Sequence, residues 1–144
     1  MSDSPGTDQP SESGATLERK AILAGATTAF ICVAVGLIVA LVLRGLLDWT
    51  KSATTLVATL FAIVGFLLGG FRAGLEYPPA PLSNGAGAAM VAYIPLGIVQ
   101  RITARTSLNP LGLMLAAFFA ACFGMVGGYV SNNANKARRR RAAS

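Results

Sequence analysis

Four uninterrupted apolar stretches dominate this chain, and short polar segments separate them. They cover residues 21–43, 53–71, 81–100 and 111–130, and none of them contains Asp, Glu, Lys or Arg. A helix needs about 20 mostly apolar residues to cross the hydrocarbon core of a bilayer. The pattern therefore predicts an all-α protein, an integral membrane bundle of four transmembrane helices.

The segments outside these spans are too short for a second domain, since domains rarely form below about 50 residues. Residues 1–18 are acidic, lack aromatic side chains and are predicted to be disordered. Residues 19–135 make up the predicted transmembrane domain, and residues 136–144 form a basic cytoplasmic tail. The first span follows an acidic start and is too long for the apolar region of a signal peptide, so we expect a retained helix.

Short loops predict that neighbouring spans run antiparallel, which places both termini on one side. Lys and Arg are enriched on the cytoplasmic side of membrane proteins. The tails and the second loop hold eight such residues: Arg19, Lys20, Arg72, Lys136, Arg138, Arg139, Arg140 and Arg141. The first and third loops hold four, which are Arg44, Lys51, Arg101 and Arg105. The prediction is a multi-pass protein of a bacterial plasma (inner) membrane with both termini cytoplasmic.

The second and fourth spans end alike, which suggests an internal duplication. Gly69 and Gly70 close the second span, and Gly127 and Gly128 recur at the same place in the fourth, at a shift of 58 residues. Two tandem two-helix hairpins would form a parallel repeat, because each unit has an even number of spans. Chance similarity between helices rich in Gly and Ala is the alternative interpretation.

Glycines also recur at a spacing of four in spans two and four. Residues four apart share a helix face, and glycine lets two backbones approach closely in lipid. The candidate helix-packing residues are Gly65, Gly69, Gly70, Gly124, Gly127 and Gly128. Two interpretations stay open: packing within the bundle, and a surface for a homo-oligomer or a membrane-protein partner.

The basic tail is the candidate binding feature. Its five bases are Lys136, Arg138, Arg139, Arg140 and Arg141. Each base near an anionic membrane surface contributes about 1 kcal/mol, so we expect the tail to contact anionic lipid headgroups. A topology anchor with no further role is the alternative. Nucleic acid is not expected as a partner, because the tail has no interleaved aromatic residues for base stacking.

Catalytic chemistry has little support in the composition. The chain has no histidine, and none of its spans contains an ionisable carboxylate or amine. Cys32 and Cys122 form no Cys-x-x-Cys motif and are expected to act as small apolar residues. We therefore expect neither an enzyme nor a bound cofactor or metal. The predicted function is a non-enzymatic packing, scaffold or accessory subunit. The alternative is a small oligomeric channel or transporter subunit built around Asn84, Tyr93 and Pro95.

Residues 65–89 read GFLLGGFRAGLEYPPAPLSNGAGAA. This segment resembles a group of small four-span bacterial membrane proteins of the actinobacterial type. The shared element is a glycine pair, a small-residue turn and Pro-Leu-x-x-Gly, here Gly69-Gly70, Ala73-Gly74, Pro81-Leu82 and Gly85. Members of the group often carry histidine directly before the last glycine, where this chain has Asn84. The resemblance implies the four-span fold and leaves the function open.

Overall fold

The computed structural model describes residues 18–104 and 109–142, and all of its regular elements are helices. They are α1 (Arg19–Leu46), α2 (Lys51–Glu76), α3 (Pro81–Ala104) and α4 (Pro110–Ala142). Outside the described part lie residues 1–17, 105–108 and 143–144, together with the side chains of residues 99–104 and of Arg139. Residues 1–17 are almost all of the segment predicted to be disordered, and residues 105–108 are the centre of the third loop. The all-α prediction is confirmed for the described residues.

Three of the four helices are long and apolar enough to cross a membrane: α1, α2 and α4. Their outward faces carry large apolar side chains such as Leu41, Leu111 and Met114, which are 69%, 74% and 70% exposed. A soluble monomer rarely exposes so extensive an apolar surface, whereas lipid would cover it. The described part of α3 is less apolar and is not among the three.

The helices pack as a rhombus. Helices α2 and α3 contact each other, and each of them contacts both α1 and α4. No contact joins α1 to α4 within the described residues. Helix α1 runs antiparallel to α2, because Gly25 near its start lies against Gly69, and Gly36 lies against Phe61. Helix α4 runs parallel to α2, because Gly70 lies against Gly124 and Gly74 against Ser131.

These directions define two ends of the bundle. The terminal end holds the start of α1, the turn 77–80 between α2 and α3, and the last turns of α4. The far end holds the connection 47–50 between α1 and α2. Asp48 closes that connection with a φ of 50°, a left-handed conformation that Asp tolerates better than most residues. Thr50 then caps α2 by accepting a hydrogen bond from the N–H of Ala53 at 3.4 Å.

Helix α3 turns its small and polar residues inward. Within residues 81–98 its buried positions, most of them on one helical face, are Pro81, Asn84, Gly85, Ala88, Ala89, Ala92 and Gly97. The outward face carries Leu82, Met90, Val91 and Ile94, all of them exposed. The residues that make α3 less apolar therefore lie mainly on the face that contacts the other helices. Side chains on that face contact protein, so they need not be apolar.

The two hairpins are stacked side by side. Helix α1 contacts α3 and α2 contacts α4, so the helices that the duplication would make equivalent are neighbours. A two-fold axis along the membrane normal would turn the α2·α3 contact into an α4·α1 contact, which is missing from the described residues. The duplication itself stays a prediction, but the hairpins are not related by such an axis.

Candidate functional site at the terminal end of the bundle

Close backbone contact joins α1 to α2 in the half of the bundle nearest the terminal end. A Cβ atom added at Gly69 would lie 2.7 Å from the carbonyl oxygen of Gly25 and 2.8 Å from the Cβ of Ala29. Real Cβ atoms essentially never come that close to another heavy atom. The two helices therefore approach to a distance that only glycine permits at this position.

Gly124 is in contact with two other helices at once. A Cβ atom there would lie 2.7 Å from the Cβ of Ala89 and 3.0 Å from the carbonyl carbon of Gly85, both in α3. A Cβ atom added at Gly70 of α2 would lie 2.8 Å from the Cα of Gly124. Helices α2, α3 and α4 meet at this residue. Besides Gly124 of α4, α2 contributes Gly70 and α3 contributes Gly85.

The structure places every predicted helix-packing glycine against another helix of the same chain. Gly65 and Gly69 lie against α1, Gly70 lies against α4, Gly127 lies against α2, and Gly124 and Gly128 lie against α3. These backbone surfaces are already covered and are unavailable to a second protomer. The geometry therefore corresponds to packing within the bundle, and the glycine motif gives no separate surface for a partner.

Two fully buried polar side chains lie at the same end. Asn84 of α3 is 0% exposed, and its Oδ1 accepts a hydrogen bond of 3.0 Å from the backbone N–H of Glu18. Its Nδ2 donates to nothing in the described structure. Ser131 of α4 is also 0% exposed and donates to the carbonyl oxygen of Gly128 at 2.7 Å. Asn84 thus ties the start of α1 to α3, a role that its polarity alone did not predict.

The basic segment is a continuation of α4. Helix α4 has 33 residues, which corresponds to about 50 Å at 1.5 Å per residue. The hydrocarbon core is only about 30 Å thick, so the last turns of α4 extend beyond it. Lys136, Arg138, Arg140 and Arg141 are exposed on these turns. Arg139 belongs to the same helix, and its side chain is outside the described part.

A cavity with both polar and apolar walls lies beside this basic segment, between the turn 77–80 and α4. It has a volume of about 450 Å³ and is lined by Pro78, Pro79, Asn132, Asn135 and Lys136. We call it the amide cavity. Sequence reasoning missed it, although the polar run 131–135 directly after the fourth apolar stretch was a visible signal.

A second cavity lies between the helices toward the far end. Its volume is about 330 Å³, and its lining includes Tyr93 of α3 and the α2 residues Thr55, Thr59 and Phe66. Tyr93 and Phe66 make an edge-to-face contact with ring centroids 6.3 Å apart. Thr55 and Thr59 donate their hydroxyl hydrogens to carbonyls one turn earlier in α2.

The three residues suggested for a transport path do not meet. Tyr93 lines the far-end cavity, whereas Pro95 is exposed and borders a separate hollow with Phe30. Asn84 is buried at the terminal end. The far-end cavity and the hollow beside Phe30 contain one of these side chains each, and Asn84 lines neither of them.

The terminal half of the bundle is tightly packed, whereas the far half contains a cavity, and this difference gives a paired prediction. Ala116→Leu, which places a larger side chain at the far-end cavity, is expected to leave the unfolding midpoint unchanged or higher, because free volume surrounds that residue. Ala89→Leu is expected to lower stability by about 1–3 kcal/mol, because Ala89 is 0% exposed beside Gly124. Thermal unfolding of both variants in one detergent measures the difference, and equal losses would contradict it.

The described residues contain no group of three His, Cys, Asp or Glu side chains that could hold a metal ion. Cys32 and Cys122 are both free and half-buried, and the thiol of Cys32 lies 3.8 Å from the carbonyl oxygen of Phe61.

No protein-family model, curated protein or solved structure matches this chain.

Proposed function

We propose that this protein is a non-enzymatic, four-span scaffold or accessory subunit of a bacterial plasma membrane, with both termini in the cytoplasm. The observation that carries the proposal is the path of α4, which runs without a break from the glycine-packed core into an exposed basic segment. A rigid bundle would hold this segment at a fixed position at the membrane surface.

The packing of the core supports a structural role. In the half near the terminal end, α1 meets α2 and α3 meets α4 with no room for a methyl group at Gly69 and Gly124. At these two positions the helices are in direct contact, so a solute path would not pass between them there. The lack of histidine in the chain and of ionisable carboxylates and amines in its apolar stretches supports the non-enzymatic part of the proposal.

A fourth span is supported by the length and position of α3. Its 24 residues correspond to about 36 Å, which exceeds the thickness of the hydrocarbon core of about 30 Å. It contacts all three of the other helices, and its outward face is apolar. With four spans, the terminal end holds eight bases and the far end four, which favours a cytoplasmic terminal end.

Anionic headgroups are the proposed lipid partner of the basic segment. Its exposed bases Lys136, Arg138, Arg140 and Arg141 project from several sides of α4, so they suit a surface layer that surrounds the helix. Each base contributes about 1 kcal/mol near an anionic surface. A membrane-protein partner would have to dock on the lipid-facing sides or the basic segment, since the glycine surfaces are already covered.

Native extraction into lipid nanodiscs tests the scaffold proposal. We expect a stoichiometric second membrane protein to co-purify, and we expect liposomes containing the purified protein alone to show no ion or solute flux. A closed homo-oligomer that lacks a partner and conducts ions would contradict the proposal and favour the channel alternative.

A further inference from the structure

We infer that the amide cavity at the terminal end is a binding site for one phosphate group, and that an anionic phospholipid supplies this group. The inference rests on the proposed placement of the terminal end among the cytoplasmic headgroups. It adds a single defined site to the general attraction between the basic segment and the membrane.

The lining of the amide cavity has the chemistry of an anion site. Asn132 and Asn135 contribute carboxamide groups, and Lys136 contributes an ammonium group with three N–H donors. No carboxylate is among its described lining residues. Hydrogen bonds from such donors to an ionised phosphate are about twice as strong as those between neutral groups.

The carboxamide of Asn135 supports an anion site independently of the charge of Lys136. Its Nδ2 has almost no exposed surface and has no hydrogen-bond partner in the described structure. Buried polar groups nearly always have a partner, so this donor favours an added acceptor, either a water molecule or a phosphate oxygen. A phosphate oxygen in the cavity would supply that acceptor.

Two helix ends of opposite sign lie at this turn: the negative end of α2 at Glu76 and the positive end of α3 at Pro81. Helix α3 begins at Pro81, two residues after Pro79 of the cavity wall, and its positive end is at the terminal end. The first N–H groups of a helix have no partner within it, and the helix dipole favours a negative charge beside them. The nearest acidic residue along the turn, Glu76, is exposed and is not part of the lining.

The depth of the cavity favours a lipid over a free phosphate. The apolar stretch of α4 ends at residue 130, and the lining residues of α4 lie at positions 132–136. At a rise of about 1.5 Å per residue, they lie about 3–9 Å beyond the end of the apolar stretch. The headgroup layer on each side of a bilayer is about 5–8 Å thick, so the cavity is level with lipid phosphates.

The surface of α4 next to the amide cavity is also positively charged. Lys136 also borders a shallow groove on α4 that contains Asn133 and Arg140. Arg140 lies one helical turn beyond Lys136, on the same face. The headgroup of phosphatidylcholine would bring its positively charged ammonium toward this groove, whereas the uncharged glycerol of phosphatidylglycerol would not. The site should therefore prefer phosphatidylglycerol to phosphatidylcholine.

Native mass spectrometry of the full-length protein, titrated separately with each of these two lipids, tests the inference. We expect one tightly retained phosphatidylglycerol per protomer. Asn135→Leu and Lys136→Gln should each weaken its binding about tenfold, because each removes a donor to a charged group. The matched control is Arg138→Gln, which changes an exposed base outside both the amide cavity and the neighbouring groove and should weaken binding less than about twofold.

A parallel titration with inorganic phosphate distinguishes the two sources. Retention of the lipid in excess phosphate supports the lipid assignment, whereas displacement of the lipid would overturn it and assign the site to a soluble phosphate. The site itself would be overturned if Lys136→Gln and Arg138→Gln lost lipid affinity equally and Asn135→Leu lost none. That result would leave the proposed attraction between the basic segment and the membrane intact.

Discussion

Replacing Gly124 by leucine is expected to prevent stable folding of the bundle, the largest effect of any single substitution proposed for this chain. Even a Cβ atom at this position would lie 2.7 Å from the Cβ of Ala89, and the backbone of Gly85 is on the same side. Over-packing typically costs about 1–3 kcal/mol, and here two helix backbones would have to separate, so we expect the upper end of that range or beyond. Gly124→Ala should show a smaller loss in the same direction. The unfolding midpoint in mild detergent measures both.

Gly45 provides the matched control for that substitution. It lies in α1 near the far end, and an added Cβ would meet no atom within 4 Å. Gly45→Leu should therefore leave the midpoint close to that of the original protein. Equal destabilisation by Gly45→Leu and Gly124→Leu would mean that leucine acts through helix propensity or insertion, and the packing account of Gly124 would be wrong.

Neutralising the basic segment is expected to disturb the orientation of the protein in the membrane. Replacing its five bases by glutamine lowers the count at the terminal end from eight to three (8 − 5 = 3), against four at the far end. The excess of Lys and Arg near span ends sets the orientation, so the bias would change sign. We expect a mixed or inverted population, measured by labelling of single cysteines introduced at the two ends.

The control for orientation changes the other end. Arg44→Gln with Lys51→Gln lowers the far-end count from four to two (4 − 2 = 2) and leaves the terminal end at eight. This variant should keep one orientation, with the terminal end cytoplasmic. A single unchanged orientation after loss of all five terminal bases would show that Arg19, Lys20 and Arg72 are sufficient, and the basic segment would then have no role in topology.

The approximate positions of the helices could be predicted from hydropathy, but their lengths could not. Hydropathy located the fourth span at 111–130, whereas α4 is Pro110–Ala142. Apolar runs mark the part of a helix that suits the hydrocarbon core, and hydrogen bonding of the backbone continues beyond it. The basic tail was therefore not recognised as a helix, although nothing in its composition breaks one.

The glycine positions were visible in the sequence, but their partners were not. A spacing of four predicts that Gly65 and Gly69 share a face, and the structure shows that this face lies against α1. The contact of Gly124 with both α2 and α3 depends on the arrangement of all four helices, which local sequence does not encode. Gly74 was assigned to a turn, yet it lies inside α2 against Ser131.

Asn84 and the amide cavity show the same limit. One polar residue near the start of a span can face lipid headgroups, water or a neighbouring helix, and the helical periodicity of α3 allows all three. Only the packing of α1 against α3 brings the N–H of Glu18 to the Oδ1 of Asn84. The amide cavity likewise forms from a turn and a helix that are more than 50 residues apart in the chain.

The central claim is that the glycine-lined faces pair within one chain, and a disulfide between α2 and α4 tests it most directly. An added Cβ at Gly74 would lie 3.1 Å from the Cβ of Ser131, close to the separation of about 3.5–4.5 Å in a disulfide. With Cys32 and Cys122 replaced by alanine, Gly74→Cys with Ser131→Cys should oxidise to an intramolecular cross-link in a monomer. The pair Gly45→Cys with Ser131→Cys, at opposite ends of the bundle, should not cross-link within one protomer. Cross-linked dimers from the first pair, or no cross-link at all, would contradict the account.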